Sequence, residues 1–207
     1  MGIDSTRGWK RLERYSPRLF VLAAVFLLVG AANSGLAFAF ESYAFDEWGA
    51  IVLEVGRIAA LVGTAGLTVG VRAHDTRLGS LTRGATALAI GFVTVLTAWA
   101  ALSVAGPVGD PVALVGLPAW VLSVSSFLLV GAAVLRTEAY ARRVGWLLVA
   151  NVAALFVVFF GRLVVPLGLV ATLVPALQVL LYGGVASTLR SHAAVAAEAT
   201  PTTRPTP

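Results

Sequence analysis

The chain contains no cysteine. That absence excludes a disulfide framework, a thiolate metal site, an iron–sulfur cluster and thiol catalysis together. Histidine is nearly as scarce. The two present, His74 and His192, fall in a connection and a tail, which argues against paired ligation of an intramembrane haem. There is no HExxH pair, no phosphate-binding loop and no Gly-x-Ser-x-Gly elbow. The serines of the fourth apolar span have no histidine or lysine at their depth to activate them. The residue set points away from an enzyme, a metal site and a bound cofactor.

Charge is the next shortage. Only 12 % of residues are charged against 58 % hydrophobic, and the mean hydropathy is +0.90. Soluble domains run at about 45–50 % apolar, so the expected setting is a lipid bilayer. The net charge of +5 does not indicate nucleic acid, because the basic residues are not gathered on one surface with interleaved aromatics. They lie in alternate connections.

What is present is a succession of six membrane-length apolar segments, at about 18–40, 48–72, 84–105, 112–135, 144–162 and 166–189. The fold class expected is all-α, a polytopic transmembrane helical bundle. Residues 1–17 read as a basic interfacial segment and 190–207 as a disordered Thr-Pro tail. The stretch 144–189, at ~1.5 Å per residue, is about twice as long as the hydrocarbon core is thick, so it turns once, near Gly161 to Gly168. All but Arg57 and Arg162 of the fifteen Lys and Arg fall at one side of this arrangement. Glu41, Asp46, Glu47 and Asp110 fall at the other. The distribution expects both termini on the cytoplasmic face of a cell membrane.

The segment at 48–71 organises the rest. Counting ~100° per residue, Gly56, Ala59, Gly63, Gly66 and Gly70 share one narrow seam, with Gly49 a heptad earlier. Glu54, Arg57, Thr64, Thr68 and Arg72 share a second stripe, roughly 160° away. Small residues invite a neighbouring backbone, and charge at depth needs protein or water beside it rather than lipid. Both faces therefore require cover, which expects this helix in the bundle interior.

Two readings of Glu54 and Arg57 stand side by side. One is a self-neutralising i, i+3 pair that fixes packing, with Thr64 and Thr68 bonding their own i−4 carbonyls. The other is a polar site for an ion or solute, to which Asn33, at similar depth on the first span, contributes. The third span carries its own small seam of Gly84, Ala87, Gly91, Thr94, Ala98 and Ala101. A hairpin with this seam facing the glycines of the second span is the packing expected. Asn151 and Gln178, each about twelve residues from the same surface, are expected to bond across the last two helices near mid-membrane.

The function expected is transport of a small solute or ion by a channel-like or carrier-like protein. The alternative is a non-catalytic scaffold or subunit of a larger membrane complex, with a second copy or another membrane protein as partner. Nucleic acid is not expected as a partner.

Overall fold

Each apolar stretch long enough to satisfy its own backbone hydrogen bonds becomes a helix, as a bilayer demands. The computed structural model describes residues 3–40, 46–105, 115–161 and 167–198. Its order is α1 (Ile3–Phe40), α2 (Asp46–His74), α3 (Thr76–Ala105), α4 (Leu117–Thr137), α5 (Arg142–Gly161) and α6 (Leu167–Glu198), with no strand among the described residues. Five of these helices are long and apolar enough to cross a membrane; α5, with 20 residues, is the shortest of the six. The acidic connection at 41–45, the Gly-Pro turn at 106–111, the reversal at 162–166 and the Thr-Pro tail beyond 198 lie outside the described residues.

Neighbours in sequence are neighbours in space, and α1 also packs on α6, so the helices close a ring, crossed by a contact between α2 and α4. Each pair around the ring runs antiparallel. Leu12 of α1 meets Gly66 of α2 while Asn33 meets Gly49. On the other flank Gly35 of α1 meets Thr172 and Phe20 meets Tyr182 of α6. At the centre Tyr182 stands between Phe20 and Phe127, with ring centroids 5.8 and 6.1 Å apart, and all three rings are buried.

Several element boundaries differ from the sequence expectation. The basic segment before residue 18 is continuous with the first span. It is the first part of a 38-residue α1 that runs through Pro17. Proline there forgoes the bond to the Glu13 carbonyl, but Ser16 on the preceding position donates its Oγ to the Leu12 carbonyl at 3.1 Å. Leu12 and Ser16 both press on Gly66 of α2, so tertiary contact holds the helix across the proline.

The connection expected at 72–83 shrinks to Asp75 alone. Its carboxylate accepts the Leu78 N–H at 2.9 Å, an N-cap that starts α3 eight residues early. At the far end, α6 continues past Leu189 to Glu198, because the Ala-rich run there has the best intrinsic helix propensity. Pro118 stands in the first turn of α4, where no intrahelical N–H bond is lost.

The expected pairing of the α2 and α3 seams is corrected. Gly84, Ala87, Gly91, Thr94, Ala98 and Ala101 are all exposed, and a Cβ added at Gly84 or Gly91 would meet nothing within 4 Å. The inward stripe of α3 is instead Gly79, Thr82, Thr86, Ala89 and Val93. Two contacts set that rotation. Thr86 and Ser126 of α4 share a buried 2.8 Å hydrogen bond, and Gly79 lies directly on the backbone of Arg72.

Candidate functional site

α2 is the most enclosed helix, since no residue from Ile51 to Val71 is exposed. Its glycine row is taken by α1, not α3. Gly56 rests on Ala23, Phe26 and Leu27, Gly63 on Leu19 and Phe20, and Gly66 on Leu12 and Ser16. A Cβ at Gly66 would stand 2.9 Å from the Leu12 carbonyl oxygen, tighter than backbone can accommodate without moving. Gly70 continues the row onto the ring of Tyr140, in the α4–α5 connection.

Glu54 and Arg57 form a partly buried pair. One guanidinium nitrogen of Arg57, Nη1, donates to both carboxylate oxygens of Glu54, at 2.8 and 2.9 Å. The side chains keep 16 % and 20 % of their exposure. Counted from the start of α2 the pair lies about 12–16 Å into the helix at ~1.5 Å per residue, a depth at which an unpaired charge costs several kcal/mol. The i, i+3 spacing lets one residue neutralise the other.

The pair is not isolated. The Arg57 charge acts on Tyr182 of α6, whose hydroxyl also has the Asn151 amide of α5 for a neighbour. Asn151 in turn accepts a 2.9 Å hydrogen bond from Gln178 Nε2 through its Oδ1. Asn151 is fully buried and Gln178 keeps 5 % of its exposure. The remaining amide atom, Asn151 Nδ2, is buried and makes no hydrogen bond of good geometry, a costly state for a donor in a low-dielectric interior. Residues from α2, α5 and α6 thus form one polar layer around Tyr182. The buried side-chain atom of this group that lacks a hydrogen bond of good geometry, Asn151 Nδ2, is an N–H donor.

The other expected members of the site are placed elsewhere. Asn33 lies against Gly49, on the glycine side of α2 and five residues before Glu54. Thr64 and Thr68 are fully buried on the expected stripe, and each donates to its own helix, to the Ala60 carbonyl at 2.8 Å and the Ala65 carbonyl at 2.7 Å. Arg72 is exposed at the end of α2. No group of three His, Asp or Glu among the described residues comes together in a way that could hold a metal ion.

Sequence reasoning missed Tyr182, which joins the ion pair to the amide pair. Its signal was available, since Tyr182 follows Gln178 by four residues and so shares its helix face. It also missed the glycine crossing of α4 and α5, where a Cβ at Gly131 would stand 3.0 Å from the Gly145 carbonyl oxygen and one at Gly145 would stand 2.9 Å from that of Gly131.

A third contact missed lies at the basic end, where the Tyr140 hydroxyl donates to Glu13 Oε1 at 2.5 Å. Burial pushes the Tyr140 phenol well above its ordinary range. The hydrogen bond and charge of Glu13 add to that shift, and the Gly70 backbone opposes it more weakly. The contact ties α1 to the α4–α5 connection. No protein-family model, curated protein or solved structure matches this chain.

Proposed function

We propose that this membrane protein moves a small solute or ion, and that the layer formed by Glu54, Arg57, Asn151, Gln178 and Tyr182 is where the solute binds. The observation that carries the reading is the buried Asn151 Nδ2, which makes no hydrogen bond of good geometry and has the Tyr182 hydroxyl of α6 for a neighbour. Ionisable and polar groups at membrane depth commonly mark solute paths. A buried N–H donor favours a solute that offers an acceptor, such as a carboxylate, a carbonyl or a small anion. In this reading the protein is not an enzyme, it resides in the cell membrane, and its basic end with both termini faces the cytoplasm.

The test is flux in proteoliposomes loaded with a panel of small anions and neutral polar solutes. Wild-type protein is expected to pass at least one of them. The Glu54→Gln/Arg57→Gln variant and Asn151→Leu are each expected to abolish that flux. Absence of flux for every solute under an imposed gradient, or unchanged flux in both variants, overturns the reading.

One observation favours a second reading, a packing role within a scaffold or a subunit of a larger assembly. Thr64 and Thr68 are satisfied by their own helix and the ion pair by itself. Under that reading the double neutralisation changes assembly or stability and leaves flux untouched.

A further inference from the structure

We infer that Arg72 and Arg83, at the basic end of the α2–α3 hairpin, bind the phosphate of an anionic phospholipid. The inference is independent of the polar layer and rests on an unbalanced cluster of cations. Arg83 lies with its guanidinium carbon 3.9 Å from the centre of the Trp9 ring. Its Nε is buried and has no hydrogen-bond partner. The charge that bears on it is that of Arg72, of the same sign.

The backbone forces the two together. Gly79 sits on the Cα and Cβ of Arg72, and Arg83 follows Gly79 by four residues, one turn along the same face. Arg83 therefore stands one turn along α3 from the point where that helix touches Arg72.

Three carboxylates described at this end are engaged elsewhere. Glu13 accepts from Tyr140, Asp75 caps α3, and Glu138 pairs with Arg142 at 3.2 Å. Among the described residues neither Arg72 nor Arg83 has a carboxylate partner.

Like charges without a carboxylate partner repel each other, and each guanidinium presents a planar fork of donors that matches the oxygens of a phosphate. Trp9 places the pair at headgroup level, where tryptophan is enriched. From there α3 runs on with Ala87, Gly91 and Thr94 exposed, within about 80° of Arg83 around the helix at ~100° per residue, a bare flank that suits the acyl chains of a phospholipid, which free phosphate lacks.

The experiment uses the full chain in a neutral detergent, read by native mass spectrometry and by thermal unfolding. The probes are phosphatidylglycerol, phosphatidylcholine and inorganic phosphate. Arg72→Gln/Arg83→Gln is compared with Arg136→Gln/Arg143→Gln, which removes as much charge from exposed positions at the same end.

Phosphatidylglycerol is expected to give a retained adduct and a higher unfolding midpoint in the wild type and in the Arg136/Arg143 variant. Phosphatidylcholine is expected to do neither, and the Arg72/Arg83 variant to bind about tenfold more weakly. Equal loss in the two variants, equal effects of the two lipids, or a full effect from inorganic phosphate alone overturns the inference. Should the double variant not fold, Arg72→Gln alone, at an exposed helix end, is read in the same way. An unchanged phosphatidylglycerol adduct in that variant also overturns the inference.

Discussion

Arg57 Nη1 reaches both oxygens of Glu54, at 2.8 and 2.9 Å, one turn along the same helix. Because the two side chains keep only 20 % and 16 % of their exposure, neither charge can be removed without stranding the other. Glu54→Gln or Arg57→Gln alone is expected to destabilise the protein by about 3–5 kcal/mol, the cost of leaving one member of a buried pair. The double variant is expected to lose less than either single one. Unfolding midpoints of the three variants decide the point, and losses that simply add would contradict the pairing.

The glycine row supplies a contrast between two positions that look alike in sequence. Gly66→Ala forces a methyl toward Ser16 and the Leu12 carbonyl and is expected to cost about 1–3 kcal/mol, as overpacking does. Gly91→Ala, with open space around it, is expected to stay within about 0.5 kcal/mol of the wild type. Adding Ser16→Ala to Gly66→Ala should restore only part of the loss, because the Leu12 carbonyl remains. Thermal unfolding of the set measures each step, and a Gly91→Ala loss matching that of Gly66→Ala would be incompatible with this packing.

Within the polar layer, Gln178→Leu leaves the Asn151 amide without its only good hydrogen bond. That substitution is expected to cost about 1–3 kcal/mol, whereas Asn151→Leu/Gln178→Leu together should be milder, since both polar partners go. A double-mutant cycle on unfolding reads the coupling directly. A coupling of zero would mean that the two amides do not meet.

Tyr140 carries a pH signature. Burial foremost, then Glu13, holds its proton in the folded state, while in the unfolded chain a phenol releases it near pH 10. As pH rises through about 10 the unfolded state therefore binds fewer protons than the folded one, and stability falls. Tyr140→Phe is expected to flatten that alkaline fall relative to the wild type, measured as unfolding midpoint against pH. Identical slopes would show that the Tyr140 proton does not enter the balance.

Much of this architecture is legible from residue types alone, and the gaps have physical causes. The membrane class and the number of helices follow from apolar length. The glycine row of α2 is visible because a single seam of missing side chains has one physical use, the close approach of a neighbour. Which helix approaches is not visible. α1 takes the row, and the better-matched seam on α3 faces outward, because exposed Ala and Gly cost nothing against lipid tails and the rotation of α3 is set by Thr86, Ser126 and Gly79. Pro17 reads as a boundary until Leu12 and Ser16 are seen pressed on Gly66. Asn151 and Gln178 can be paired by counting depth, whereas Tyr182, an aromatic among apolar residues, shows its polar role only when Arg57 is brought beside it.

The central claim is that α2 turns its glycine row to α1 and its ionic face to the bundle interior. The chain has no cysteine, so pairs can be introduced without background. A Cβ at Gly63 would lie 3.4 Å from that of Leu19, close to the ~3.5–4.5 Å range of a disulfide. Oxidation of Leu19→Cys/Gly63→Cys in membranes should give a rapid internal cross-link, with none from Gly63→Cys/Gly91→Cys. A cross-link from the second pair and not from the first would place α3 on the glycine row and contradict the account.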